Sequence, residues 1–164
     1  MVPCSAEEVI AALGLVPLEI EGGHFRELYR CGCPAHTQQP RSCATMIYYL
    51  LTGTQRSAWH TVASDEIWCH LDGVPARQAL ISHDGTWSEA LLGPGLQPGQ
   101  SRYTLVPAGA WQSTVPASSR ADDWALFTCT VAPGFDYADL TVAGVEELSA
   151  RFPRWTERLR EWEG

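Results

Sequence analysis

Ser57-Ala-Trp59-His60-Thr-Val62-Ala-Ser-Asp-Glu66-Ile-Trp68-Cys-His70-Leu-Asp-Gly73 is the stretch on which the fold turns. Successive side chains of a strand point to opposite faces, so Glu66, Trp68 and His70 share one face of a single strand. His60 and Val62 share a face of the strand before it. If both faces point into a barrel, two imidazoles and a carboxylate converge beside an indole wall. That mixture suits either a divalent metal or acid–base catalysis.

Outward from this stretch the pattern repeats. Short apolar or alternating segments are separated by Gly, Pro, Asp and Ser, which is the signature of an all-β sandwich or barrel. The spacing predicts strands over 24–30, 44–51, 57–62, 66–71, 77–82, 88–92, 101–106, 111–114 and 124–131. Ser5 followed by Glu8 and closed by Gly14 predicts a short capped helix. Val145, Leu148, Phe152, Trp155, Leu159 and Trp162 recur at helical intervals, so a C-terminal helix is expected over about 144–162, with Pro153 near its start or breaking it. The expectation is one domain over 1–164 with a barrel core at about 20–142. The stretch 32–41 reads as an exposed loop.

Composition narrows the function. The 164 residues carry 19 acidic and 11 basic side chains, and every basic residue is arginine. A net charge of -8 repels phosphate backbones, so nucleic acid is excluded as a partner. The absence of lysine excludes Schiff-base chemistry through that side chain. No apolar run is long enough to span a membrane and no basic-then-apolar leader opens the chain, so a cytoplasmic protein is expected. Cys4, Cys31, Cys33, Cys43, Cys69 and Cys129 are then expected to be free thiols. Cys31-x-Cys33-x-x-His36 lacks the second ligand pair of a structural zinc site.

The deciding stretch resembles the first motif of the cupin superfamily, two histidines, a glutamate and a glycine seven residues beyond it. His60, Glu66 and Gly73 keep those positions. Pro107-Ala-Gly109-Ala-Trp111-Gln112 is similar to the second motif. Val62 stands at the usual second histidine and Gln112 at the histidine of the second motif. A closer resemblance is to a small cupin branch of obscure function similar to deoxysugar 3,5-epimerases. It is carried by Glu21-Gly-Gly-His24-Phe25-Arg26-Glu27-Leu-Tyr-Arg30, Arg41-Ser-Cys-Ala-Thr-Met-Ile-Tyr48-Tyr49-Leu-Leu51, Ser57-Ala-Trp-His60, Asp65-Glu66-Ile-Trp68 and Cys129-Thr-Val-Ala-Pro-Gly-Phe-Asp-Tyr-Ala-Asp139. That branch usually has tyrosine at His24 and serine at Cys31, which points to altered chemistry or ligand here.

The resemblance implies a double-stranded β-helix, or jelly-roll barrel, with short terminal helices and a small-molecule site inside. His60, Glu66, His70, Tyr48 and Tyr49 are the candidate catalytic groups, with one of the two tyrosines facing inward. Phe25, Arg26, Glu27, Trp59, Trp68, Trp111 and Gln112 are candidate ligand contacts. His60, Glu66 and Gln112 are the candidate metal ligands, and the cofactor is either none or one divalent ion. In epimerase-like cupins an early strand reaches the neighbouring subunit's pocket, so a homodimer is expected. The leading function is proton-transfer chemistry on an oxygenated metabolite: isomerisation, epimerisation, dehydration or cyclisation, in natural-product metabolism. The alternatives are a non-catalytic metabolite-binding cupin and a metal-dependent oxygenase.

Overall fold

The computed structural model describes residues 5–37, 39–95, 97–118 and 120–163. Two six-stranded sheets face each other. The first has the order β1 (Val16–Pro17), β2 (His24–Arg30), β3 (Thr45–Thr52), β11 (Trp124–Ala132), β5 (Asp65–Gly73), β9 (Tyr103–Val106). The second runs β12 (Thr141–Val142), β4 (His60–Thr61), β10 (Trp111–Pro116), β6 (Ala76–Ile81), β7 (Trp87–Leu92), β8 (Gln100–Ser101). All pairings are antiparallel except β7 with β8. This is the expected jelly roll, and all nine expected strands are present. The additions are β1, β12 and the separation of β8 from β9.

Alternation decides which side chains fill the barrel. Tyr49 and Leu51 of β3, Trp68 of β5, and Ala125, Phe127 and Cys129 of β11 form the core between the sheets. Tyr49 and Phe127 meet Trp68 edge to face, with ring centroids 5.4 and 5.3 Å away. Gly73 has φ +85° and its α-carbon faces Trp124; an added Cβ would stand 2.1 Å from the Trp124 carbonyl oxygen. That contact is the physical reason for the glycine of the first motif.

Helices cover part of each sheet's outer face, while Ile67, Leu71, Tyr103 and Leu105 of the first sheet stay exposed. At the N-terminus, α1 (Ala6–Leu13) has the reciprocal Ser5–Glu8 capping box and ends on left-handed Gly14. It lays Val9, Ile10 and Leu13 over Leu50, Leu126 and Tyr48. At the other end Pro153 does break the expected helix, giving α2 (Val145–Arg151), a single 3-10 turn and α3 (Thr156–Glu163). These bury Leu148, Leu159 and Trp162 against Trp59, Ala79, Ile81, Trp87 and Trp111 on the outside of the second sheet. Arg77 stacks on Trp162 with its guanidinium carbon 4.8 Å from the ring centroid. Among the described residues no helix is long and apolar enough to cross a membrane. Cys31, Cys33, Cys43, Cys69 and Cys129 are free thiols, and Cys4 lies outside the described residues.

Candidate functional site

Between the sheets, at one end of the barrel, is a cavity of about 250 Å³. This is smaller than the roughly 300–1,000 Å³ of drug-sized sites, a volume for a compact metabolite. Leu18, Phe25, Ile47, Val62 and Val131 give it apolar walls, and Phe135 and Tyr137 stand at its mouth. Glu21, Glu27, Arg30, His60, Glu66 and Asp136 supply the charged groups.

His60 is fixed through one ring nitrogen. It is buried, and its Nδ1 lies 2.8 Å from the Ala58 carbonyl oxygen. A carbonyl only accepts, so Nδ1 carries a hydrogen and Nε2 is the nitrogen free to take or release a proton. Nε2 faces the Glu21 carboxylate at 3.5 Å. Glu21 reaches it from a turn, not a strand. Gly22 and Gly23 have φ of +84° and +71°, and an added Cβ would meet the Arg56 and Leu50 carbonyl oxygens at 2.8 and 2.7 Å. The turn is fastened to the barrel twice: the Tyr49 hydroxyl donates to the Gly22 carbonyl at 2.9 Å, and the Ala58 N–H donates to the Glu21 carbonyl at 2.7 Å.

Glu66 is buried and heads a polar network inside the barrel. Gln112 Nε2 donates to Glu66 Oε2 at 2.5 Å. Gln78 Nε2 reaches Thr114 Oγ1 at 3.2 Å and Gln112 Oε1 at 3.5 Å, and the Thr104 hydroxyl donates to Gln78 Oε1. Burial raises the Glu66 carboxyl above the ordinary range; the His60 charge and the Gln112 amide oppose that rise, and Glu21 adds to it. The Trp68 N–H leans toward the same carboxylate without hydrogen-bonding geometry and has no partner of its own. Burial, with Glu21 next, holds the Tyr49 hydroxyl well above its usual range, so it stays a protonated donor. The Cys129 thiol is raised in the same way by burial and then by Glu66 and Glu21, which makes it an inert wall.

Several sequence expectations are corrected by position. Tyr49 is the inward tyrosine, but its hydroxyl is spent on Gly22 and it does not line the cavity. Tyr48 points outward under α1, with Arg26 stacked on it at 5.7 Å. Arg26 therefore leaves the pocket, while its neighbours Phe25 and Glu27 line it. Trp59 and Trp111 lie under the C-terminal helices on the outer face of the second sheet. Trp68 packs beneath the cavity, and Gln112 stands behind Glu66. His70 is on the right face but beyond Trp68, about 13 Å along the strand from Glu66. Its Nε2 lies 3.0 Å from the Val74 carbonyl oxygen and its ring meets Phe127 edge-on. His24 and Cys31 do not line this cavity either.

Other groups were missed. Glu21 lies outside every strand, and the doubled glycine after it was the available signal. Arg30 enters the cavity through an irregularity between Glu27 and Tyr29 that shifts the alternation of β2. It grips Glu27 in two bonds, 3.1 and 2.7 Å, and donates to the Phe135 carbonyl at 3.1 Å. Phe135, Asp136 and Tyr137 are held at the rim because the Phe135 N–H donates to Thr45 Oγ1 and Arg41 clasps Asp139 at 2.7 and 2.8 Å.

A divalent ion is the group the barrel family implies, and this donor set does not fit one. Gln112 turns its NH2 toward Glu66 while its oxygen faces Gln78, and Val62 has no donor atom. Among the described residues no three His, Cys, Asp or Glu side chains converge with metal-binding geometry. His60 and Glu66 are thus left with carboxylate and amide partners.

The same fold is found in solved structures. A hypothetical protein from Leishmania major matches with TM-score 0.87 and 26% identity, covering 96% of this chain and 98% of that one. A protein from Shewanella oneidensis matches with TM-score 0.86 and 29% identity, covering 96% of each chain. Oxalate decarboxylase from Bacillus subtilis shares the fold at TM-score 0.56 and 15% identity, over 88% of this chain and 35% of that one. No curated protein matches. The family model described as Cupin superfamily (DUF985) matches residues 7–143, and with the two facing sheets, Gly73 packed on Trp124 and His60 and Glu66 inside the barrel, the chain belongs to that family.

Proposed function

We propose that this protein is an enzyme that moves a proton on a small oxygenated metabolite held in the barrel, by isomerisation, epimerisation, dehydration or cyclisation. The observation that carries the reading is His60, fixed on Ala58, 3.5 Å from the Glu21 carboxylate and within electrostatic reach of Glu66, in a cavity with apolar walls. Nδ1 is fixed on Ala58, so Nε2 is oriented to take a proton from a carbon beside a carbonyl, and Glu21 at 3.5 Å stabilises the imidazolium that results. Glu66, whose buried carboxyl favours its protonated form more than a free glutamate would, returns a proton to the substrate. Exchange between the two groups and water then restores both. An oxygenase reading loses its support with the ligand set. The reading includes a homodimer: β1 pairs β2 only at His24 and Phe25, which leaves the rest of that strand's outer edge for a second copy.

The test incubates wild type and His60→Asn with metabolite extracts in deuterated water. Asparagine keeps a hydrogen-bonding amide but cannot exchange a proton near neutral pH. Wild type should consume a compound and place deuterium in the product, and the variant should be slower by about 10²- to 10⁴-fold, the usual contribution of a general base. Equal consumption by both removes His60 as the base. Consumption by neither, with binding retained, makes the protein a metabolite-binding cupin.

A further inference from the structure

We infer that the cavity selects a compact organic cation, an ammonium-bearing molecule, over carboxylate or phosphate compounds. The inference rests on the proton-transfer reading only for the site's location and adds the chemical class of its ligand. Among the described lining residues, Glu21, Glu27, Glu66 and Asp136 are carboxylic, against Arg30 and His60 as cationic groups. Arg30 is already committed to Glu27 through two hydrogen bonds and to the Phe135 carbonyl. Arg41, outside the mouth, is committed to Asp139 and approaches Asp136 only at 3.9 Å. An entering anion would find no free guanidinium and would face Asp136 at the exposed rim and then Glu21 inside, where solvent is scarcer and like charges repel more strongly. The volume of about 250 Å³ also leaves no room for a nucleotide-linked sugar, which is far larger than a compact metabolite.

The apolar lining points the same way. Phe25, Phe135 and Tyr137 present aromatic surface to the cavity, Phe135 and Tyr137 with centroids 5.2 Å apart and planes at 80°. Aromatic faces beside a carboxylate are the combination that recognises ammonium ions, through ring quadrupole and counter-charge together. Glu21 is 13% exposed, so solvent screens its charge only partly and a cation seated near it supplies a counter-charge.

Calorimetric titration of the whole protein with benzylammonium, benzyl alcohol and benzoate compares three probes of nearly equal shape and different charge. Benzylammonium should bind about tenfold more tightly than benzyl alcohol, a ratio within what close charge pairs contribute, and benzoate should not bind at millimolar concentration. Glu21→Gln should lower benzylammonium affinity about tenfold and leave benzyl alcohol unchanged. Asp136→Asn, at the exposed rim, should lower it about twofold to fivefold and keeps the test sound if the buried variant misfolds. Equal binding of the three probes, preference for benzoate, or no binding by any of them overturns the inference. The ranking should persist in His60→Asn. If it does while wild type itself turns over no metabolite, the proton-transfer reading fails and cation selection stands. A His60-dependent conversion of a carboxylate compound does the opposite, upholding proton transfer and overturning cation selection.

Discussion

Alanine at Gly23 should distort the turn that brings Glu21 to His60, and the cost can be worked from its surroundings. Gly23 has φ +71°, and an added Cβ would stand 2.7 Å from the Leu50 carbonyl oxygen, 3.0 Å from Leu51 Cδ2 and 3.1 Å from Tyr49 Cε2. A left-handed non-glycine residue costs about 1–2 kcal/mol. Forcing a methyl into a packed core costs about 1–3 kcal/mol more, and here the nearest atom belongs to the backbone of a central strand and cannot swing away. The stiffer unfolded chain returns about 0.4–1 kcal/mol. The net loss is about 1–4.6 kcal/mol, which lowers Tm by about 2–18 °C in a chain of this length. Gly109→Ala is the control, because φ is +76° there and nothing lies within 4 Å of an added Cβ. It should cost about 1 kcal/mol, the conformational part alone. Thermal and urea unfolding of wild type and both variants separates the two contributions. Equal losses in the two variants would refute the steric argument and with it the view that this turn holds Glu21 rigidly.

Two more outcomes are expected. Glu66 is held protonated to higher pH in the fold than in the unfolded chain, so its carboxyl destabilises the fold increasingly as pH rises above its ordinary value of 4.5 and through the raised folded value. Glu66→Gln, which can still bond Gln112, should therefore match wild type at pH 4 and gain stability over it as pH rises; a flat or falling difference in unfolding free energy would count against burial as the cause. Light scattering at micromolar concentration should report a dimer, and a single species of 18.0 kDa would remove the second copy from the β2 edge.

Strand alternation made the inner face legible wherever the strand was regular. It put Glu66 and His60 inside, and it also contained the outward placement of Arg26, Trp59 and Trp111, each one residue away from an inward group. The aromatic character of Trp59 and Trp111 reads equally as ligand surface or core; the helices α2 and α3 that cover them make it core. Depth within the barrel was not legible, because His70 shares the face of Glu66 and differs only in distance along the axis. Arg30 was hidden by the register shift after Glu27, a backbone event with no side-chain signature. Glu21 was hidden for a different reason. Its direction is set by two consecutive positive φ angles in the turn after it, so neither periodicity nor motif spacing reports where it points. The site therefore joins a strand-borne half, readable by period two, to a turn-borne half fixed by glycine conformation. The two meet at the 3.5 Å contact between His60 and Glu21, which makes that contact the one most exposed to change at Gly22 and Gly23.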